Sequence, residues 1–463
     1  MKRIHLIGIG GIGMSGLAKI LLEKGYHVSG SDASPQSPTC QELVQKKIKI
    51  TPHQAKNIHK NLDLVIHSAA IPPHNVEILQ AKKLSLPLQK YSTSLAQIFN
   101  PRKGIAVCGT HGKTTTTAMI ATCLEKAGYN PGYLIGGHYP PTHARLGQGN
   151  YFVAEACEYQ RSFLDLSPKH IVLTNIEAEH LDYYQDIHDL ENAFSTFCHK
   201  LPQHGTLIFP YHCPTSQEIA QNLKTKINTI SFGIGKQTKS DLRAEHIQLL
   251  PHKTLFQAFY HKENLGEFQL QIPGLHNVYN ALATIALAHE MRISLHKVKK
   301  TLKDFSGVQR RFQIITRKNG LLLIDDYAHH PTEIRATLNA CRQKFPNFPL
   351  WVVFQPHQYS RTYKMLEELA LALVEADMVI LTDIYQARER SEWKARVHSL
   401  DLCQRIQWLG GKAKYIPDFS QIANYIPSFI TPPAVVLTMG AGNVYKLIPS
   451  LIQQLHYLSK RSA

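Results

Sequence analysis

The chain has 463 residues, 43% of them hydrophobic, and carries 51 lysines and arginines against 34 acidic residues, a formal net charge of +17. That length and apolar content fit two to four domains with real cores. No apolar run reaches the roughly 18 residues that span a bilayer, and the N-terminus has no secretory pattern, which excludes membrane insertion and secretion as expectations.

The eight cysteines, at 40, 108, 123, 157, 198, 213, 341 and 403, form no Cys-x-x-Cys pair. They read as reduced thiols of a cytoplasmic protein rather than as a disulfide framework or a zinc site. The basic residues are dispersed, and no zinc-finger, RRM or arginine-rich signature accompanies them. The charge therefore suits an enzyme that handles several phosphates, and no nucleic-acid partner is expected.

Apolar runs alternate with helical patterns from the first residues. Ile4–Ile7 reads as a strand and Met14–Lys24 as a helix closed by Gly25. Between them Gly8-Ile9-Gly10-Gly11-Ile12-Gly13 matches G-x-G-x-x-G, with Asp32 about 20 residues on at the end of the next strand. Such a turn places a diphosphate on a helix N-terminus. A dinucleotide and a UDP-sugar satisfy it equally, and glycines serving only close packing are the plainer alternative. His27–Gly30 and Leu64–His67 read as further strands.

A second segment opens at Arg102. A strand from Gly104 to Cys108 runs into Gly109-Thr110-His111-Gly112-Lys113-Thr114-Thr115 and a helix to about Lys126. A glycine-rich turn there directs backbone N–H groups and the positive end of a helix dipole at one point; Lys113 adds a full charge, and the Thr114 hydroxyl suits Mg²⁺. Val107 stands where the usual phosphate-loop pattern has its first glycine. The run still predicts an ATP site, because Gly-Lys-Thr-Thr-Thr-Thr has no packing rationale.

Strands at Tyr151–Glu155 and Ile171–Thr174 follow. Glu155, in Glu155-Ala156-Cys157-Glu158, ends the first and can hold Mg²⁺ or a water near the γ-phosphate. His180, in Asn175-Ile176-Glu177-Ala178-Glu179-His180-Leu181-Asp182, is offered as a second metal ligand, with a solvated or structural histidine as the alternative. The third segment contributes strands at Leu321–Asp325, Trp351–Phe354, Met378–Thr382 and Val435–Met439, a helix after Pro331, another from about Leu366, and a last one from about Val444 to Leu455. Asp325-Asp326-Tyr327-Ala328-His329-His330 and Gln355-Pro356-His357-Gln358-Tyr359-Ser360-Arg361 fall at strand carboxyl ends, where α/β sheets bind ligands. The Arg361 fork suits a carboxylate or phosphate, and Arg310 lies at the junction of the second and third segments. The pattern predicts an α/β protein of three domains, 1–101, 102–310 and 311–463, built on parallel sheets covered on both faces.

Together these residues resemble the Mur ligases, the ATP-dependent amide-forming enzymes of peptidoglycan synthesis. Gly8–Gly16, Gly109–Thr116, Glu155–Tyr159 with Asn175–Tyr184, and Asp325–Arg335 carry the likeness. Gly274–Asn277, Arg310, Gln355–Thr362 and Asp383–Tyr385 add to it. His111 replaces an asparagine usual in sister ligases. Phe194-Ser195-Thr196-Phe197 lies where sisters carry a carbamylated lysine; both features suit the alanine-adding branch. Gln358 departs from an arginine found in many relatives.

The resemblance implies a Rossmann-like UDP-binding domain, a central P-loop ATPase domain and a Rossmann-like C-terminal domain. It implies that Gly10, Gly11, Ile12, Gly13, Asp32 and Ser68 hold the UDP part. Gly109 to Thr115 would hold ATP, with Lys113 on its phosphates and Asn277 on the adenine. Thr114, Glu155 and His180 would hold Mg²⁺, Arg310 would meet the phosphates, and His329 and Arg361 would lie near the substrates. The implied reaction joins L-alanine to the lactyl carboxylate of UDP-N-acetylmuramate through an acyl phosphate, in a cytoplasmic monomer or dimer. Three rivals remain at this point: a ligase attaching a preformed peptide to the same UDP-sugar, a nicotinamide oxidoreductase with an accessory ATPase domain, and a non-catalytic nucleotide-gated protein.

Overall fold

The computed structural model describes all residues except 181, 182, 319, 388, 390, 462 and 463. Leu181 and Asp182 of the Asn175–Tyr184 stretch thus lie outside the described residues. The chain divides into two compact units. The first holds residues 1–245, 257–266 and 279–302; the second holds 246–256, 267–278 and 303–463.

The first unit begins with strands β1 (Arg3–Ile7), β2 (His27–Ser31), β3 (Lys49–Thr51), β4 (Leu64–His67) and β5 (Leu88–Lys90), ordered β3-β2-β1-β4-β5 and parallel throughout. Helices α1 (Ile12–Glu23), α2 (Pro38–Gln45), α3 (Val76–Lys83) and α4 (Tyr91–Phe99) accompany it. Ile4 and Leu6 on one face and Ile7 and Val65 on the other are all buried, as a sheet covered on both sides requires.

The second sheet takes β6 (Lys103–Cys108), β7 (Gly132–Leu134), β8 (Ala144–Arg145), β9 (Tyr151–Glu155), β10 (His170–Leu173), β11 (Thr206–Pro210), β12 (Asn228–Ile234), β13 (Leu242–Leu249), β14 (Thr254–Tyr260) and β15 (Glu263–Leu270). Its order is β15-β14-β13-β12-β11-β10-β6-β9-β7-β8. Helix α5 (Lys113–Lys126) follows β6 directly. This sheet is mostly parallel, with antiparallel pairs toward its ends. Residues 250–253 and 261–262, which join β13 to β14 and β14 to β15, are too short for a parallel crossover. The β7–β8 pair is antiparallel as well.

Gly16 lets α1 lie against Leu134 and Ala144 of the β7–β8 hairpin, where a Cβ would meet both at 3.1 Å. A polar cluster sits beside this contact. Lys19, buried on α1, donates to Glu42 Oε1 at 2.5 Å and to His143 Nδ1 at 3.1 Å. The His143 Nε2 lies 3.2 Å from Ser15 Oγ, whose own hydrogen goes to Ile12 O. This pattern calls for a neutral imidazole protonated at Nε2. Burial, followed by the neighbouring Lys19 charge, pushes His143 down to about 3.

The second unit is built on β16 (Gln313–Lys318), β17 (Leu321–Asp326), β18 (Leu350–Phe354), β19 (Met378–Leu381), β20 (Ala413–Tyr415) and β21 (Ala434–Met439), ordered β16-β17-β21-β18-β19-β20. All pairs are parallel except β16 with β17. The half-exposed, polar β16 was not visible as a strand in the sequence; it extends the sheet edge as a hairpin on β17. The near-continuous apolar runs of β17, β18 and β21 are buried on both faces, against 331–344 and 366–373 on one side and 419–429 and 448–461 on the other. No helix among the described residues is long and apolar enough to cross a membrane.

Candidate active site

The turn after β6 is held from below by the end of β10. Thr110 N donates to Asn175 O at 3.0 Å and His111 N to Asn175 Oδ1 at 2.8 Å. Thr174 Oγ1 donates to His111 O at 2.6 Å, and Glu177 N to Thr110 Oγ1 at 2.9 Å. Gly109, at φ 125°, has Thr174 Oγ1 2.2 Å from where a Cβ would stand, so only glycine fits. Gly112, at φ 79°, opens α5 without a side-chain cap. The first-turn N–H groups of α5 are thereby left for an anion, with Thr114 and Thr115 buried in that turn.

Lys113 folds over this turn. Its ammonium donates to Gly109 O, to Thr110 O at 3.0 Å and to Glu158 Oε1 at 3.0 Å. Glu158 is 1% exposed, and its Oε2 has no hydrogen-bond partner among the described residues. Burial alone would lower the lysine and raise the carboxyl; their mutual attraction reverses both, so the pair stays charged. His180, at φ 55°, brings Nε2 to 3.5 Å from the same Oε1 and packs its ring on Tyr159. Tyr184 donates its hydroxyl to Glu158 O at 2.5 Å, fixing the backbone there.

The metal candidates divide at this point. Glu155 takes Gly136 N on Oε1 at 2.7 Å, whereas Glu158, which was not chosen from sequence, meets Lys113 and His180. The Glu158 oxygen, without a donor among the described residues, and the threonine hydroxyls at the start of α5 are oxygen donors of the kind a hard divalent cation takes. These residues therefore fit Mg²⁺. Phe194 and Phe197 are fully buried and pack on Phe163.

The glycine loop after β1 is fixed by Ser31 and Asp32 at the end of β2. Gly8 N and Ile9 N both donate to Ser31 O, at 2.8 and 3.0 Å, and Gly10 N donates to Asp32 Oδ2 at 2.9 Å. Asp32 thus holds the loop itself, with Oδ1 taking Ser34 N. Gly10 admits Cys40 Sγ, and Gly13 admits the Tyr91 ring, each 2.9 Å from a notional Cβ. Helix α1 begins at Ile12 with no side-chain cap. Ser68, after β4, lies beside Gly8 and caps the following turn through Ala70 N at 3.2 Å.

In the second unit three of the sequence candidates form one chain of contacts. Arg310, at φ 59°, donates Nε to Asp325 Oδ2 at 3.0 Å and a terminal N–H to Gly440 O at 2.7 Å. Its guanidinium lies 5.0 Å from the Tyr327 ring and 4.8 Å from the Tyr445 ring. Tyr327 packs edge-on to His329, which packs on His357 and has Nδ1 3.2 Å from Glu333. His357 Nδ1 accepts from Arg361 at 3.0 Å. Beneath them Asp326 accepts from Phe312 N and Ala328 N, and burial raises its carboxyl to about 6. Asn277, near the start of the helix Leu275–Glu290, donates to Pro273 O at 2.6 Å.

Three stretches of the sequence match domains of one family in order: residues 3–103 the Mur ligase family catalytic domain, 107–288 the Mur ligase middle domain, and 310–442 the Mur ligase glutamate ligase domain. The chain belongs to the Mur ligase family. Relatives in that family include the UDP-N-acetylmuramate–L-alanine ligase of Acetivibrio thermocellus, 42% identical over 96% of this chain and 94% of its own. The enzyme of the same description from Alkaliphilus metalliredigens is 41% identical over 98% of each. Among solved structures, the UDP-N-acetylmuramate–alanine ligase of Thermotoga maritima superposes with a TM-score of 0.84 at 28% identity, covering 99% of this chain and 100% of that one. The murein peptide ligase of Psychrobacter arcticus gives 0.75 at 26% identity, covering 98% and 99%. As a Mur ligase with three sheets and a mostly parallel central one, the chain has the three-part α/β architecture read from its motifs.

Proposed function

We propose that this Mur ligase joins L-alanine to UDP-N-acetylmuramate at the expense of ATP, in the cytoplasm, with domain boundaries near residues 101 and 310. The observation that carries the reading is the end-to-end identity of about 40% to alanine-adding ligases, set on an intact phosphate loop with its Lys113–Glu158 pair. The relatives of this similarity carry the alanine description, which favours alanine over a preformed peptide as the amine.

Gly109 to Thr115 take the ATP phosphates, Asn277 the adenine, and Gly10 to Gly13 with Asp32 and Ser68 the UDP part. The lactyl carboxylate attacks the γ-phosphorus, ADP leaves, and an acyl phosphate forms. The uncharged amine of L-alanine then attacks the acyl carbon and expels inorganic phosphate. Lys113 leaves its own loop carbonyls to meet the β/γ-phosphates, and its charge offsets the negative charge that builds up during transfer. Thr114, Glu155, Glu158 and His180 hold Mg²⁺, which when bound neutralises the triphosphate. Arg310 meets the transferring phosphoryl group, and Arg361 with His329 orients the amino-acid substrate; positioning supplies most of the acceleration.

The route is tested by following oxygen. UDP-N-acetylmuramate labelled with ¹⁸O in the lactyl carboxylate delivers one label to inorganic phosphate if the acyl phosphate forms. Unlabelled phosphate contradicts this mechanism.

A further inference from the structure

A buried carboxylate lies behind the glycine loop and belongs to none of the sites above. Glu77, in the first turn of α3, has no exposed surface. It gathers donors from three separate segments. The Ser31 hydroxyl donates to Oε2 from the end of β2. From the loop after β3, His53 Nδ1 lies 2.9 Å from Oε2, Asn57 Nδ2 donates to Oε1 at 2.6 Å, and Gln54 N at 3.3 Å. From β1, His5 Nε2 stands 3.6 Å from Oε1. Burial alone would raise the carboxyl; the neighbouring His5, Ser31, Asn57 and His53 groups outweigh it and hold Glu77 down at about 2. A fully buried anion is costly, and a packed apolar side chain would serve stability as well or better.

What this anion fixes is Ser31. The same residue that gives its hydroxyl to Glu77 gives its carbonyl to Gly8 N and Ile9 N, and its neighbour Asp32 takes Gly10 N. Three successive N–H groups of the glycine loop are therefore registered by one dipeptide. The first turn of α1, uncapped by any side chain, is aimed by that registration. A shift of a few tenths of an ångström at Ser31 moves the whole turn, and a diphosphate held by backbone donors is sensitive to such displacement.

We propose that Glu77, acting through Ser31, is a positioning residue for the diphosphate of the UDP-sugar, holding the glycine loop in its binding geometry without touching the ligand. This rests on the assignment of that loop to UDP. The test uses the full chain and UDP itself as the probe, by calorimetry, together with steady-state kinetics. Ser31→Ala removes only the hydroxyl link, and Glu77→Gln removes the charge.

The expected result for each is a UDP dissociation constant and a UDP-sugar KM raised about tenfold. ATP affinity stays unchanged, and kcat at saturating UDP-sugar remains within about twofold. If Glu77→Gln does not fold, Ser31→Ala decides alone. Variants that lose thermal stability while binding UDP as tightly as the parent overturn the proposal and leave Glu77 a packing residue. A parent chain that binds ATP but no UDP overturns the loop's assignment, and this proposal with it.

Discussion

The ammonium of Lys113 lies 3.0 Å from the carboxylate of Glu158, which is 1% exposed and whose second oxygen has no donor among the described residues. The phosphate loop thus carries an internal anion that holds its lysine in place. In the mechanism proposed above, the lysine exchanges this partner and the loop carbonyls for phosphate oxygens, which releases the carboxylate toward a cation.

Lys113→Met removes both the phosphate contact and the internal counter-ion. We expect kcat for ADP formation to fall by about 10³-fold or more, in line with losing a full charge at a transferring phosphoryl group, while UDP affinity is preserved. Stability should drop as well, because an unpaired buried carboxylate costs several kcal/mol, of order 3. The double variant with Glu158→Gln should recover most of that stability and none of the activity. Calorimetric unfolding and a coupled ADP assay read the two effects separately.

Glu158→Gln alone keeps the shape and removes the charge. It should raise the Mg²⁺ concentration for half-maximal activity by about tenfold or more. Glu155→Gln, whose parent carboxylate is already engaged by Gly136 N, should move it less. The reverse order in a Mg²⁺ titration would return the principal metal contact to Glu155.

Arg310 holds a fixed fork between Asp325 and Gly440 O, bracketed by two tyrosine rings. Lysine has the charge but neither the planar fork nor the stacking. Arg310→Lys should lower kcat by about 10²-fold with the KM for UDP-sugar little changed. A change confined to that KM would place Arg310 on binding instead.

His143 supplies a pH dependence. Its folded value of about 3 lies below the value of an unfolded imidazole, so between these limits the unfolded chain binds the extra proton. The contribution to stability is complete above about pH 6.5 and is lost as the pH falls toward 3. From pH 7 to pH 5 this residue should remove up to about 2 kcal/mol. Urea unfolding of the parent and of His143→Gln at the two pH values gives the difference; equal pH slopes would show that the imidazole is not held neutral.

Much of this was legible in the sequence because the chemistry is local. Gly109 to Thr115 form a contiguous run between a strand and a helix, Asp325 and Asp326 close β17, and Arg361 lies on the short helix Tyr359–Lys364 that follows β18. Glu158 was not singled out. Glu155 and Glu158 stand three residues apart after the same strand, and the turn at Gln160 and Arg161, with φ of 53° and 55°, together with the Tyr184 hydroxyl, sets which carboxylate faces the lysine. The Glu77 centre was invisible for a related reason, since its donors are dispersed over residues 5, 31, 53, 54 and 57. β13 to β15 escaped notice because their alternation is partly polar and no glycine–asparagine turn marks their ends.

The most direct measurement is ADP release with Mg²⁺-ATP and UDP-N-acetylmuramate, adding L-alanine, glycine, a murein tripeptide or no amine in turn. The account predicts turnover that requires both the UDP-sugar and L-alanine, with a product heavier by one alanyl residue. Turnover with the tripeptide alone, or no ADP under any combination, contradicts it.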